Sequence, residues 1–230
     1  MLTIIACDVM KEEFLRISAN SPVEFRFVSM GLHRWPERLK DELERILAEE
    51  ISQKTTAVVF GFGLCGGALA GLRAAGVPLV IPLSHDCIPL LIGSRLEYHE
   101  ELAREKGTFF LSGGWMEGER TLLSEYRRIL ERHGEVKARK VMATMLDSYQ
   151  RILFITTSHP RQEQRLAEAQ ELALLLGLSL DVRSNSGLWL EQLINGPWDQ
   201  ARFVVIEPGG VIREELFTHG APSNSPLQLL

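Results

Sequence analysis

Three cysteines and one histidine in this chain could together bind a metal. Cys7 directly follows the apolar run Ile4-Ile5-Ala6, Cys65 lies in a glycine-rich segment, and His85 and Cys87 belong to Ser84-His85-Asp86-Cys87. Thiolate and imidazole are ordinary zinc ligands, and three thiolates with an open fourth position also suit a [4Fe-4S] cluster. These soft donors leave zinc and iron–sulfur both open and argue against Mg²⁺ or Ca²⁺.

The segment around Cys65 reads Gly61-Phe62-Gly63-Leu64-Cys65-Gly66-Gly67. Glycine permits positive φ and close approach of a ligand to the backbone, so we predict that Gly63, Gly66 and Gly67 contact a cofactor. If a helix starts after this turn, its amino end should lower the pKa of Cys65. The alternative is a glycine-rich turn around a small buried cysteine.

The same glycines also match the Gly-x-Gly-x-x-Gly spacing of dinucleotide sites. That reading is weaker, because the acidic residue expected about 20 positions later is missing and Val80-Ile81-Pro82 stands there instead.

A cysteine nucleophile is the rival to a metal site. Cys65 would attack, His85 would act as the base, and Asp86 or Asp8 would orient the imidazole. This alternative leaves Cys7 and Cys87 without a role. We therefore favour Cys7, Cys65, Cys87 and His85 as metal ligands, and we predict His85 and Cys65 as catalytic residues in either case.

Short β-branched and aromatic runs that alternate with segments of helical period indicate an α/β fold of parallel sheets flanked by helices. Runs such as Phe203-Val204-Val205-Ile206 are continuously apolar, as in strands buried on both faces. The pattern predicts eight strands: Leu2–Ala6, Val23–Ser29, Thr56–Gly61, Leu79–Leu83, Thr108–Leu111, Arg151–Thr156, Leu178–Val182 and Arg202–Ile206.

The carboxyl ends of parallel strands meet at one edge of a sheet, where ligand crevices form. Neighbouring strands lie ~5 Å apart, so the three cysteines should approach one another if their strands are neighbours. Gly113-Gly114-Trp115 follows another predicted strand, and we predict that Gly114 and Trp115 form a wall over the same crevice and contact the cofactor. His33 is assigned no role.

The chain organisation suggests two related Rossmann-like halves with a crevice at the strand carboxyl ends, and a single sheet is the alternative. We place an N-terminal α/β half with the cysteine motifs at 1–116, a helical bridge at 117–150, a C-terminal α/β half at 151–220 and a flexible tail at 221–230. Proline in the first turn predicts helices over Pro36–Gln53 and Pro160–Leu176.

Composition limits the class of protein. The 230 residues carry 25 basic and 30 acidic side chains, a net charge of −5, which argues against a nucleic-acid partner. An odd count of 3 cysteines does not suit a disulfide framework and favours a reducing cytoplasm. The start of the chain lacks a signal-peptide pattern, and the apolar runs are shorter than the ~20 residues that cross a membrane.

Three segments together carry a family resemblance: Gly63-Leu64-Cys65-Gly66, the stretch from Ser84 to Ser94, and the stretch from Gly107 to Trp115. With these motifs the chain resembles the domain of unknown function 1638 family over residues 7–210. That family occurs in methanogenic archaea and anaerobic bacteria, sometimes beside corrinoid methyltransferase genes.

The resemblance implies Cys7, Cys65, His85 and Cys87 as site residues and a role in one-carbon metabolism with a corrinoid or corrinoid-protein partner. The Asp-x-His-x-x-Gly pattern of cobalamin carriers is absent. We therefore expect a cysteine-ligated metal protein that transfers methyl or sulfur groups to or from a small molecule or a corrinoid protein. A non-catalytic accessory module for a methyltransferase and a homo-oligomeric state are left open.

Overall fold

The computed structural model describes residues 1–49, 51–117, 121–157 and 161–217. The eight predicted strands are confirmed, each with bounds within two residues of the expectation. They are β1 (Leu2–Cys7), β2 (Val23–Val28), β3 (Ala57–Gly61), β4 (Leu79–Pro82), β5 (Thr108–Ser112), β6 (Arg151–Thr156), β7 (Ser179–Ser184) and β8 (Phe203–Ile206).

These strands form two sheets. The first has five strands in the order β2-β1-β3-β4-β8, and the second has three in the order β5-β6-β7. All neighbours are parallel except β8, which runs antiparallel to β4 at the edge. Every residue of β3, β4 and β5 is buried, as their continuous apolar runs predict. The predicted α/β class is confirmed.

Helices cover the sheets and connect the strands. They are α1 (Lys11–Arg16), α2 (Pro36–Glu49), α3 (Ile88–Ile92), α4 (Arg95–Arg104), α5 (Gly113–Met116), α6 (Leu122–His133), α7 (Glu135–Met145), α8 (Gln162–Leu176) and α9 (Leu188–Asn195). Short 3₁₀ turns lie at Asp8–Met10, Met30–Arg34 and Glu214–Phe217. In α2, Leu39, Leu43 and Ile46 bury one stripe, as the spacing predicts.

The strand pairing joins strands from different segments of the predicted chain organisation. Strand β5 lies inside 1–116 but pairs with β6, and β8 lies inside 151–220 but pairs with β4. Helices α6 and α7 fill most of the expected bridge at 117–150. The tail at 221–230 and the start of the predicted helix at Pro160 fall outside the described residues. The relation of the two sheets as Rossmann-like halves stays a prediction.

The two sheets meet through the segments that follow β1 and β5. The turn Asp8–Met10 packs against α5, and a Cβ atom added at Gly114 would overlap the carbonyl group of Val9. Glycine is required there because the two backbones touch. The carboxyl end of the first sheet is thus in contact with the carboxyl end of the second. Among the described residues, no helix is both long and apolar enough for a membrane span.

Candidate functional site

The three cysteines lie at the carboxyl ends of three adjacent strands. Cys7 is the last residue of β1, Cys65 follows β3 and Cys87 follows β4, and β3 lies between β1 and β4 in the sheet. All three thiols are free, with exposed fractions of 1%, 6% and 2%. The predicted placement of the thiols at one sheet edge is therefore confirmed.

The thiols are close enough to influence one another's ionisation. Burial is the main cause that raises the pKa of Cys87, and the charges of Cys7 and Cys65 raise it further. Burial likewise raises the pKa of Cys7, with added contributions from Asp8 and Cys65. Three thiolates would repel one another in a medium of low dielectric, so without a cation the thiol forms are favoured.

Backbone hydrogen bonds connect the loop that carries Cys65 to the loop that carries His85. The backbone N–H groups of Leu64 and Cys65 donate to the carbonyl oxygens of Ser84 and His85, each at 2.8 Å. A Cβ atom at Gly63 would overlap the backbone of Asp86, so only glycine allows this approach.

Two expectations about Cys65 are wrong. Residues 65–71 form turns rather than the start of a helix, so no helix end lies beside the thiol. Burial, together with the charge of Asp86, raises the pKa of Cys65 instead of lowering it. Its own backbone is unusual, because Cys65 has a φ of +48°, in the left-handed region that non-glycine residues seldom adopt.

His85 is half-buried and points one ring nitrogen at the backbone. Its Nε2 lies 2.8 Å from the carbonyl oxygen of Phe217, and the direction of that hydrogen bond depends on the tautomer. The neighbouring Asp86 accepts the N–H of Ile88, the first residue of α3, through Oδ1 at 2.8 Å. Ser84 Oγ donates to the Asp86 carbonyl oxygen at 2.7 Å and steadies the same turn.

The remaining predicted site residues lie around the same edge. Gly66 and Gly67 have φ values of +71° and +91°, and Gly66 lies against Pro36 at the start of α2. Gly114 packs on Val9, next to Cys7 and Asp8, and Trp115 is buried. Their contact with a cofactor stays a prediction.

Sequence reasoning missed His33. It lies in the turn Met30–Arg34, and its ring faces Phe62 with the ring centroids 5.9 Å apart. Its Nε2 is buried and has no hydrogen-bond partner within the described part of the chain. Burial lowers the pKa of His33 to about 4, against a smaller opposite effect from Asp8. No local pattern marks His33, because the residues that surround it come from the ends of β1 and β3.

Asp8 joins this histidine turn to the first cysteine. Its Oδ1 accepts the N–H of Met30 at 2.8 Å and the S–H of Cys7 at 3.7 Å. The edge thus brings together three sulfurs, two carboxylates and two imidazoles. In residues 1–49, 51–117, 121–157 and 161–217, no three His, Cys, Asp or Glu side chains already converge as a metal centre. The soft character of the donors and the unpartnered Nε2 nevertheless fit a thiophilic metal.

Comparison with known proteins gives one family. The family model described as "Protein of unknown function (DUF1638)" matches residues 27–194, a span that contains Cys65, His85 and Cys87 but not Cys7. Neither a curated protein nor a solved structure gives a match.

Proposed function

The chain belongs to the DUF1638 family, which is described as a family of unknown function, so its function has to be inferred from its own residues. We propose that these residues form a thiolate-bound metal centre. Cys7, Cys65 and Cys87 would hold zinc or a [4Fe-4S] cluster at the carboxyl edge of the five-stranded sheet. The main observation is that three free, buried thiols lie at or shortly after the carboxyl ends of three adjacent parallel strands. Burial raises the pKa of each thiol, and a bound cation would stabilise the thiolate forms.

The chemistry supports group transfer involving sulfur. When bound, a thiolate-rich zinc ion lowers the pKa of an added thiol, and an open cluster position supplies sulfur or electron transfer. Asp8 lies within reach of the Cys7 proton, and the Cys65 and His85 loops are held together by backbone hydrogen bonds. In a methyl transfer, the acceptor sulfur would form a bond to carbon while the donor leaves with the electrons of the bond that breaks.

The cysteine–histidine nucleophile is less well supported. An activated cysteine requires an accessible thiol of lowered pKa, whereas Cys65 is 6% exposed and its pKa is raised. One nitrogen of His85 is already engaged with Phe217. A corrinoid or corrinoid-protein partner, a cytoplasmic location and a homo-oligomer remain predictions.

The first experiment is anaerobic purification of the full chain, followed by elemental analysis and an absorption spectrum. We expect about one zinc per chain, or about four irons with a broad band near ~400 nm for a cluster. Less than about 0.2 metal per chain, together with failure to take up zinc or iron with sulfide, would overturn the proposal.

Variants then assign the ligands. Cys7→Ser, Cys65→Ser and Cys87→Ser should each lose most of the metal, because a hydroxyl is a poor ligand for thiophilic metals. Ala68→Ser is the matched control, since it buries a hydroxyl in the turn after Cys65 without removing a sulfur. Equal metal content in all four variants would exclude the cysteines as ligands. Methyl donors and thiols are then tested for turnover, and binding without turnover would identify an accessory module instead.

A further inference from the structure

We propose that His33 supplies a nitrogen ligand of this centre, through Nε2. The inference rests on the proposed thiolate site and names its fourth donor. No pattern in the sequence singles His33 out, and the argument comes from where the fold places its ring.

The turn that carries His33 is tied to the Cys7 strand end. Met30, the first residue of the turn, donates its N–H to Asp8 Oδ1 at 2.8 Å, and Asp8 directly follows Cys7. His33 comes three residues after Met30. Because a 3₁₀ helix has three residues per turn, Met30 and His33 lie on the same face. Charge coupling between Asp8 and His33 agrees with this placement.

The ring of His33 also lies beside Phe62, in the segment that leads to Cys65. Phe62, the ring partner of His33, lies three residues before Cys65 and is fully buried. Further along that loop, a Cβ atom at Gly66 would come within 3.2 Å of Pro36 Cγ, so the loop also lies against the residue that follows the turn by two positions. His33 therefore sits between the Cys7 strand end and the Cys65 loop.

The Nε2 atom of His33 is the atom that would coordinate the metal. Nε2 of His33 is buried without a hydrogen-bond partner among the described residues, which costs free energy in the metal-free protein. Nε2 of His85 instead lies 2.8 Å from the carbonyl oxygen of Phe217, so that histidine has only Nδ1 to offer.

The test uses Co²⁺ added anaerobically to the metal-free full chain. Thiolate coordination produces a near-ultraviolet charge-transfer band, and pulsed EPR on protein labelled with ¹⁵N-histidine detects a coordinated imidazole. We expect the wild type to show both signals. His33→Ala should retain the sulfur band, lose the nitrogen coupling and bind Co²⁺ at least ~10-fold more weakly. His33→Gln is the second variant, in case the alanine variant does not fold.

His133→Ala is the matched control, since that histidine is exposed on α6, and it should keep both signals. Loss of the nitrogen coupling in His85→Ala but not in the His33 variants would overturn the inference. A wild-type sulfur band without nitrogen coupling would overturn the inference alone and leave the thiolate centre standing. A wild type without the sulfur band would overturn both.

Discussion

The backbone N–H of Cys65 donates a hydrogen bond of 2.8 Å to the carbonyl oxygen of His85. This bond, with its neighbour from Leu64 to Ser84, joins the two segments that the sequence marks as chemical. The segments are 20 residues apart in the chain, and they meet because β3 and β4 are adjacent and parallel. The position of Cys65 is therefore fixed by backbone contacts rather than by its own side chain.

Replacing Gly63 should loosen this junction. The added methyl group of Gly63→Ala would overlap the backbone of Asp86, so we expect a loss of about 1–3 kcal/mol in the free energy of unfolding, measured in urea. Gly31→Ala is the control, because its nearest neighbour would be Ser29 Oγ at an ordinary 3.5 Å. Equal stability of the two variants would show that the Gly63 contact relaxes easily.

The thiols of the metal-free native chain should react slowly with a thiol-specific reagent. Cys7, Cys65 and Cys87 are nearly inaccessible, and burial raises the pKa of each. We expect all three to react at least ~100-fold more slowly in the folded protein than in denaturant, because reaction requires local opening. The measurement is the rate of colour release with a chromogenic disulfide. Rapid reaction of Cys65 alone would instead favour the nucleophile.

Stability should fall as pH rises, in part because of Glu13 on α1. Burial raises the pKa of Glu13 from 4.5 to about 7, and its Oε2 has no hydrogen-bond partner among the described residues. The folded state therefore holds the proton more tightly than the unfolded chain does. The stabilisation that protonated Glu13 adds to the free energy of unfolding is fully present below pH 4.5 and is lost as pH rises through about 7. This loss amounts to about 3 kcal/mol.

Glu13→Gln removes this titration, so the dependence of the free energy of unfolding on pH should become flatter between pH 4.5 and about 7. Glu44→Gln, at an exposed position on α2, should keep the wild-type slope. Urea unfolding at several pH values gives both slopes. An unchanged slope in Glu13→Gln would contradict the assignment.

Hydrogen bonds and ion pairs of Arg151 stabilise the amino end of the second sheet. Its guanidinium is buried and donates to Thr108 Oγ1 at 2.8 Å, to Glu101 Oε2 at 2.7 Å and to Asp181 Oδ2 at 2.6 Å. Arg151→Met would leave the buried Glu101 with one fewer cation, so we expect a loss of about 3–5 kcal/mol.

The matched control is Arg139→Met on α7, whose ion pair with Glu135 is exposed. That change should cost less than about 0.5 kcal/mol. Thermal or urea unfolding of both variants provides the comparison. A small loss in Arg151→Met would mean that Arg183, which also contacts Glu101, replaces the missing cation.

The amino-acid pattern alone predicts the eight strands, the α/β class and the placement of each cysteine at or shortly after the end of a strand. It could do so because strand formation in buried parallel sheets depends on short apolar runs, and such runs are local.

The strand order, the direction of the Cys65 pKa shift and the environment of His33 could not be predicted, because they depend on contacts between residues distant in sequence. Strand order placed β1, β3 and β4 side by side and moved β5 into the second sheet. Burial reversed the expected direction of the Cys65 pKa shift, since desolvation outweighs any favourable local dipole. Burial also leaves Nε2 of His33 without a hydrogen-bond partner among the described residues, whereas Nε2 of His85 contacts the carbonyl oxygen of Phe217, a difference that only packing around each ring could set.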